Sequence, residues 1–99
     1  MVEPHHPLVR GIGDFTLTDE VYGDLALHHD VVPLMQATAV GGDRGTHPVL
    51  WERRVKAGRV VYDALGHDAA SIGHFVHARI IARCALWALG RPEVDVLGV

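Results

Sequence analysis

Ninety-nine residues allow one domain at most, and 48% apolar content is too high for a disordered chain. A net charge of −3 gives no electrostatic footprint for nucleic acid, and a single cysteine excludes an internal disulfide, which fits a reducing, cytoplasmic setting. Met1 to Gly11 has no apolar signal run, and Ile80 to Leu89 is too short and interrupted by Arg83 to span a membrane. Residues 1–14 read as a loop, because Pro4, Pro7, Gly11 and Gly13 punctuate them too often for a helix. Leu8, Val9 and Ile12 are expected to pack under a sheet edge. Phe15 to Tyr22 alternates loosely and predicts a short strand that gives way near Gly23. Asp24 to Asp30 is a connector. Its His28-His29-Asp30 is a weak metal candidate, since adjacent residues on an extended chain point apart. Val31 to Val40 predicts a second strand, with Pro33 suited to a sheet edge. The glycine-rich loop 41–45 follows. It lacks the phosphate-loop pattern and opens no helix.

Thr46 to Asp68, THPVLWERRVKAGRVVYDALGHD, organises the rest. Val49, Trp51, Arg53 and Val55 alternate with Leu50, Glu52 and Arg54 at strand period. Lys56-Ala57-Gly58 is a turn with Gly58 placed to take positive φ, and Val60-Val61-Tyr62 runs back. The hairpin spans residues 47–64, and its geometry brings His47 and His67 to one edge of the sheet. Asp68 or Ser71 then caps a helix running from about residue 70 to 89, closed by Gly90 and Pro92. Its apolar residues spread around most of its circumference, so it needs cover on more than one side. Residues 93–99 form a tail, either disordered or a weak edge strand. Of the eight histidines, His5, His28, His29, His74 and His77 read as exposed polar residues.

THPVLW, GRVVYDALGHD and the closing WALG, with the earlier HPLVRGIGDFTLTDEVY from His6 to Tyr22, resemble a ThuA-like (trehalose utilisation) domain over roughly residues 5–90. The resemblance implies an α/β fold: the C-terminal portion of a flavodoxin-like, class I glutamine amidotransferase-like three-layer domain. A full domain of that family is about twice this length, and its N-terminal strands have no counterpart here. The resemblance also implies carbohydrate metabolism on a small sugar or sugar derivative, and it places the Asp19-Glu20-x-Tyr22 element near the pocket at the strand ends.

The expected site is Glu20, His47 and His67, with Asp19, Tyr22, Trp51 and Asp68 as substrate-binding neighbours. One carboxylate and two imidazoles suit acid–base catalysis near neutral pH, and the same three side chains suit a zinc ion with an open position for water. Trp51 and Tyr22 offer rings for a sugar to stack on, unless strand alternation buries Trp51. An amidotransferase mechanism is not expected: Cys84 lies deep in the predicted helix, and His67 is followed by Asp68 without the His-x-Glu spacing. A serine hydrolase is not expected either, because GxSxG is missing and Ser71 serves better as a cap. The alternative to an enzyme is a truncated, non-catalytic interaction domain or fragment that needs a partner chain. With half the family's sheet missing, the apolar helix predicts a homo-oligomer or association with another polypeptide.

Overall fold

The computed structural model describes residues 1–17, 19, 27–38 and 45–99. Three strands, β1 (Val32–Thr38), β2 (Thr46–Val55) and β3 (Gly58–Asp63), form an antiparallel sheet in the order β1-β2-β3. Three helices follow: α1 (Ala69–Ile72), α2 (Phe75–Ala88) and α3 (Glu93–Leu97). The chain is thus an α/β domain in which each described strand pairs with its neighbour in sequence. Phe15, Thr16, Leu17 and Asp19 lie in no strand; the remainder of the strand expected at 15–22 falls outside the described residues.

β2 is the central strand, and Val49, Leu50, Trp51 and Glu52 on its two faces are all buried. The hairpin register pairs Trp51 with Tyr62, Leu50 with Asp63 and Arg54 with Arg59. Odd positions of β3 face α2: Arg59 donates to the Trp87 carbonyl at 3.0 Å, and Asp63 meets His77 at 2.6 Å. Even positions face outward, where exposed Tyr62 stacks flat on Trp51 with ring centroids 4.7 Å apart. β1 lies at the edge of the described sheet. Its register shifts on both sides of Met35, close to Pro33, which cannot donate to a ladder.

The hairpin turn differs from expectation in one detail. Lys56, not Gly58, carries the positive φ (54°), because Val55 pairs with Gly58 and leaves only Lys56 and Ala57 to reverse the chain.

The helix expected over 70–89 is two helices. A Cβ at Gly73 would lie 3.0 Å from the Ala69 carbonyl, and His74 is extended (φ −63°, ψ 126°). His74 then caps α2, its Nδ1 accepting from the Val76 amide at 3.3 Å. The buried side of α2 is a single stripe, His77, Ile80, Arg83 and Trp87, so the expected burial on more than one side is not found. Gly90 takes positive φ (76°) after α2, as the sequence implied. The tail is neither disordered nor a strand. Pro92 opens α3, Glu93 and Asp95 occupy its first turn, and Val96 is fully buried.

The N-terminal segment closes the core. The Val2 amide donates to the Leu34 carbonyl at 2.9 Å, and Leu8, Val9 and Ile12 are buried beneath the sheet as expected. Buried Arg83 locks this segment in place. Its guanidinium donates to the backbone oxygens of Pro7 (3.2 Å), Arg10 (2.8 Å) and Val99 (3.0 Å). One side chain therefore ties both ends of the chain to α2.

Candidate functional site

The site is built where the hairpin hands over to α1. Beyond β3 the Ala64 amide still donates to the Val49 carbonyl at 2.8 Å, so the two arms leave the sheet together. Gly66 then turns with φ of 106°, a conformation that a side chain at this position would strain. Asp68 is extended and caps α1, its Oδ1 accepting from the Ser71 amide at 3.1 Å.

Asp19 arrives from a distant part of the chain and holds this loop. Its Oδ2 accepts from the Gly66 amide at 2.8 Å and from the Ser71 hydroxyl, and its Oδ1 accepts from the His67 amide at 3.0 Å. Hydrogen bonds to an ionised acceptor are about twice as strong as neutral ones, so one carboxylate fixes two consecutive loop amides and the Ser71 hydroxyl.

Behind the loop lies a buried polar chain. His77 is fully buried, its Nε2 2.6 Å from Asp63 Oδ2 and its Nδ1 2.9 Å from the Ser71 carbonyl oxygen and 3.3 Å from Ser71 Oγ. Both ring nitrogens face acceptors. The expectation that His77 is an exposed surface residue is therefore overturned: Asp63 and Ser71 give its nitrogens the partners that burial demands. The sequence Asp63, His77, Ser71 has the order of a hydrolytic triad. However, Ser71 is itself fully buried and its hydroxyl is committed to Asp19, so no substrate carbonyl reaches it. The chain is a brace, and it ends on the loop that carries His67.

The remaining expected residues are placed as follows. His67 is exposed on the braced loop. His47 is half-buried on β2 opposite Ala37, two residues from the Val49 carbonyl that meets Ala64. Trp51 is buried against Tyr62, on the sheet face away from Asp63 and His77. Glu20 and Tyr22 lie outside the described residues. Among the described residues, no three His, Cys, Asp or Glu side chains are grouped to hold a metal ion. Cys84 is half-buried on α2, and burial, with Asp63 nearby, pushes its thiol up to about 12, which keeps it protonated and inert.

The residues drawn together by Asp19 come from two stretches far apart in the sequence. The ThuA family model, described as trehalose utilisation, matches residues 1–88. The chain belongs to the ThuA family. No curated protein and no solved structure matches it. The ThuA match spans Asp19, the 66–71 loop and the Asp63–His77 brace, so the whole network lies inside the family region. Sequence reading missed Ser71 and His77 as parts of it. A signal was present: a histidine three residues after a helix break, spaced to face a strand end carrying an aspartate. No helix in the described residues is long and apolar enough to cross a membrane.

Proposed function

We propose that this ThuA-family chain works in the utilisation of trehalose or a related sugar, binding a small sugar or sugar derivative at the 66–71 loop. The observation that carries this reading is the Asp19 carboxylate, which joins the Asp19-Glu20 segment to the Gly66-His67-Asp68 segment through three hydrogen bonds. Two stretches separated by nearly fifty residues are thereby fixed at one point, as a binding site requires.

In this reading His67, His47 and Glu20 supply the acid–base groups. Glu20 follows Asp19 in the sequence. Asp19 is a positioning residue, since both its oxygens are occupied by protein donors. Tyr22 and Asp68 are the neighbours through which a sugar ring would be recognised. Trp51, buried under Tyr62 on the other sheet face, would support the sheet and not stack on the sugar. A zinc ion held by His47, His67 and Glu20 is the metal-assisted form of the same proposal, and metal analysis of the purified chain decides it. The flavodoxin-like three-layer arrangement is proposed for the family domain as a whole, with this sheet as one part.

Calorimetric titration with trehalose and with glucose tests the site. Binding to the wild type is expected to weaken at least tenfold in His67→Ala, with the unfolding midpoint unchanged because His67 is exposed. Unchanged sugar binding in both His67→Ala and Glu20→Gln would remove the proposal.

A second reading, that the fold is completed by another chain, is favoured by exposed apolar side chains at Ile72, Phe75, Leu89 and Val94.

A further inference from the structure

We infer that the groove between the Arg54–Arg59 pair and the α2–α3 corner binds a small hydroxylated anion, a sugar phosphate or a sugar acid. The groove encloses about 530 Å³, and its chemistry comes from His6, Glu52, Arg54, Arg59, Trp87 and Arg91. That volume lies within the range for small-ligand sites, roughly 300–1,000 Å³.

The cations come first. Arg54 and Arg59 are directly opposite one another across the hairpin, and both guanidinium groups lie over the Trp87 ring, 5.3 and 4.7 Å from its centroid. Like charges at a cross-strand pair repel. Among the described residues no carboxylate is hydrogen-bonded to either group: Arg59 donates to the Trp87 carbonyl, and Arg54 Nε stands 3.8 Å from Glu52 Oε2. The other charges at the rim are matched elsewhere. Arg91 is paired with Asp95 at 2.7 Å, and Glu93 with Arg10. Two guanidinium charges against one carboxylate leave the groove positive, and an anion between them would relieve the repulsion.

The selectivity element is Glu52. Its side chain is only 10% exposed, yet its Oε2 has no hydrogen-bond donor among the described residues. His6 is an ion-pair neighbour beyond normal hydrogen-bond distance. The His6 Nδ1 accepts from the Leu8 amide at 3.2 Å, so the neutral ring carries its proton on Nε2, which stands 3.6 Å from Glu52 Oε2. Burial also lowers the pKa of His6 from its ordinary value, outweighing the attraction of Glu52. Glu52 lines the groove, and a carboxylate there is an acceptor, so it favours a ligand that brings a hydroxyl donor. An anion carrying a hydroxyl satisfies both halves of the groove. A bare anion would meet Glu52 unfavourably, and a neutral sugar would leave the arginines unmatched.

Titration of the full chain with glucose 6-phosphate, gluconate, inorganic phosphate and glucose tests the inference. Glucose 6-phosphate or gluconate is expected to bind, and which of the two does so tells phosphate from carboxylate. Arg54→Gln, at an exposed position, should weaken that binding at least tenfold. Glu52→Gln should bring the hydroxylated anion down to the affinity of inorganic phosphate. His67→Ala should leave it unchanged, which separates this groove from the proposed sugar site. The inference fails if neither hydroxylated anion binds at millimolar concentration. It also fails if inorganic phosphate binds as tightly as both, or if Arg54→Gln binds like the wild type.

Discussion

Replacing Arg83 by methionine is expected to destabilise the chain by roughly 3 kcal/mol or more, because burial leaves its acceptors no substitute donor. The methionine fills similar space, so the loss is not one of packing. It lies in the backbone oxygens of Pro7, Arg10 and Val99, which the guanidinium satisfies together. Burial, and then the neighbouring Arg79, lower the pKa of Arg83, but an arginine still keeps its proton at any physiological pH. Small domains are stable by about 5–15 kcal/mol, so the loss is a large share of the total. Urea denaturation followed by tryptophan fluorescence would measure it. A midpoint equal to that of the wild type would show that water replaces the guanidinium at no cost.

Asp19→Ala is the second large effect. Three donors lose an ionised acceptor, each such bond being worth about 1.5–3 kcal/mol before relaxation. Because two of the three donors are loop amides, part of the loss is local. The Gly66 and His67 amides are expected to exchange with solvent at least tenfold faster, while the amides of β2 keep their protection. Sugar affinity should fall in parallel, since His67 would no longer be held. Protection of Gly66 and His67 that survives the substitution would mean the loop is fixed by Asp68 and Gly66 alone, and that Asp19 is incidental.

The hairpin was legible because its causes are local. Strand-period alternation, the two-residue reversal and the β-branched return arm all lie within twenty residues. The start of α1 was legible for the same reason: Asp68 caps three residues ahead. The break at Gly73–His74 was not, since one glycine in an apolar helical pattern is ordinary until its neighbour's backbone is known. The helical tail carried signals that were passed over, Pro92 followed by acidic residues at 93 and 95. In the site, Asp19, His67 and Asp68 were legible as motif residues. His77 and Ser71 were not, because their partners lie 14 and 52 residues away. Glu52 was read as one member of an alternating face; that Trp87 and His6 would cover it depended on how α2 and the N-terminal segment return to the sheet.

The sheet and the site differ in how far the chain must travel to make them. Each strand pairs with its immediate successor, so the three-stranded meander needs only short loop closures. The contacts of Asp19 with Gly66, His67 and Ser71 close separations of 47 to 52 residues, and those of Arg83 with Arg10 and Pro7 close 73 and 76. Contacts of such high order are late to reward the entropy they cost. The meander and α2 are therefore expected to form first and the N-terminal segment to dock afterwards, which pulse-labelled amide exchange would show as protection of β2 ahead of Gly66 and His67. By the same ordering the 66–71 loop is expected to mature last in folding, and to open while the strands beneath it remain paired.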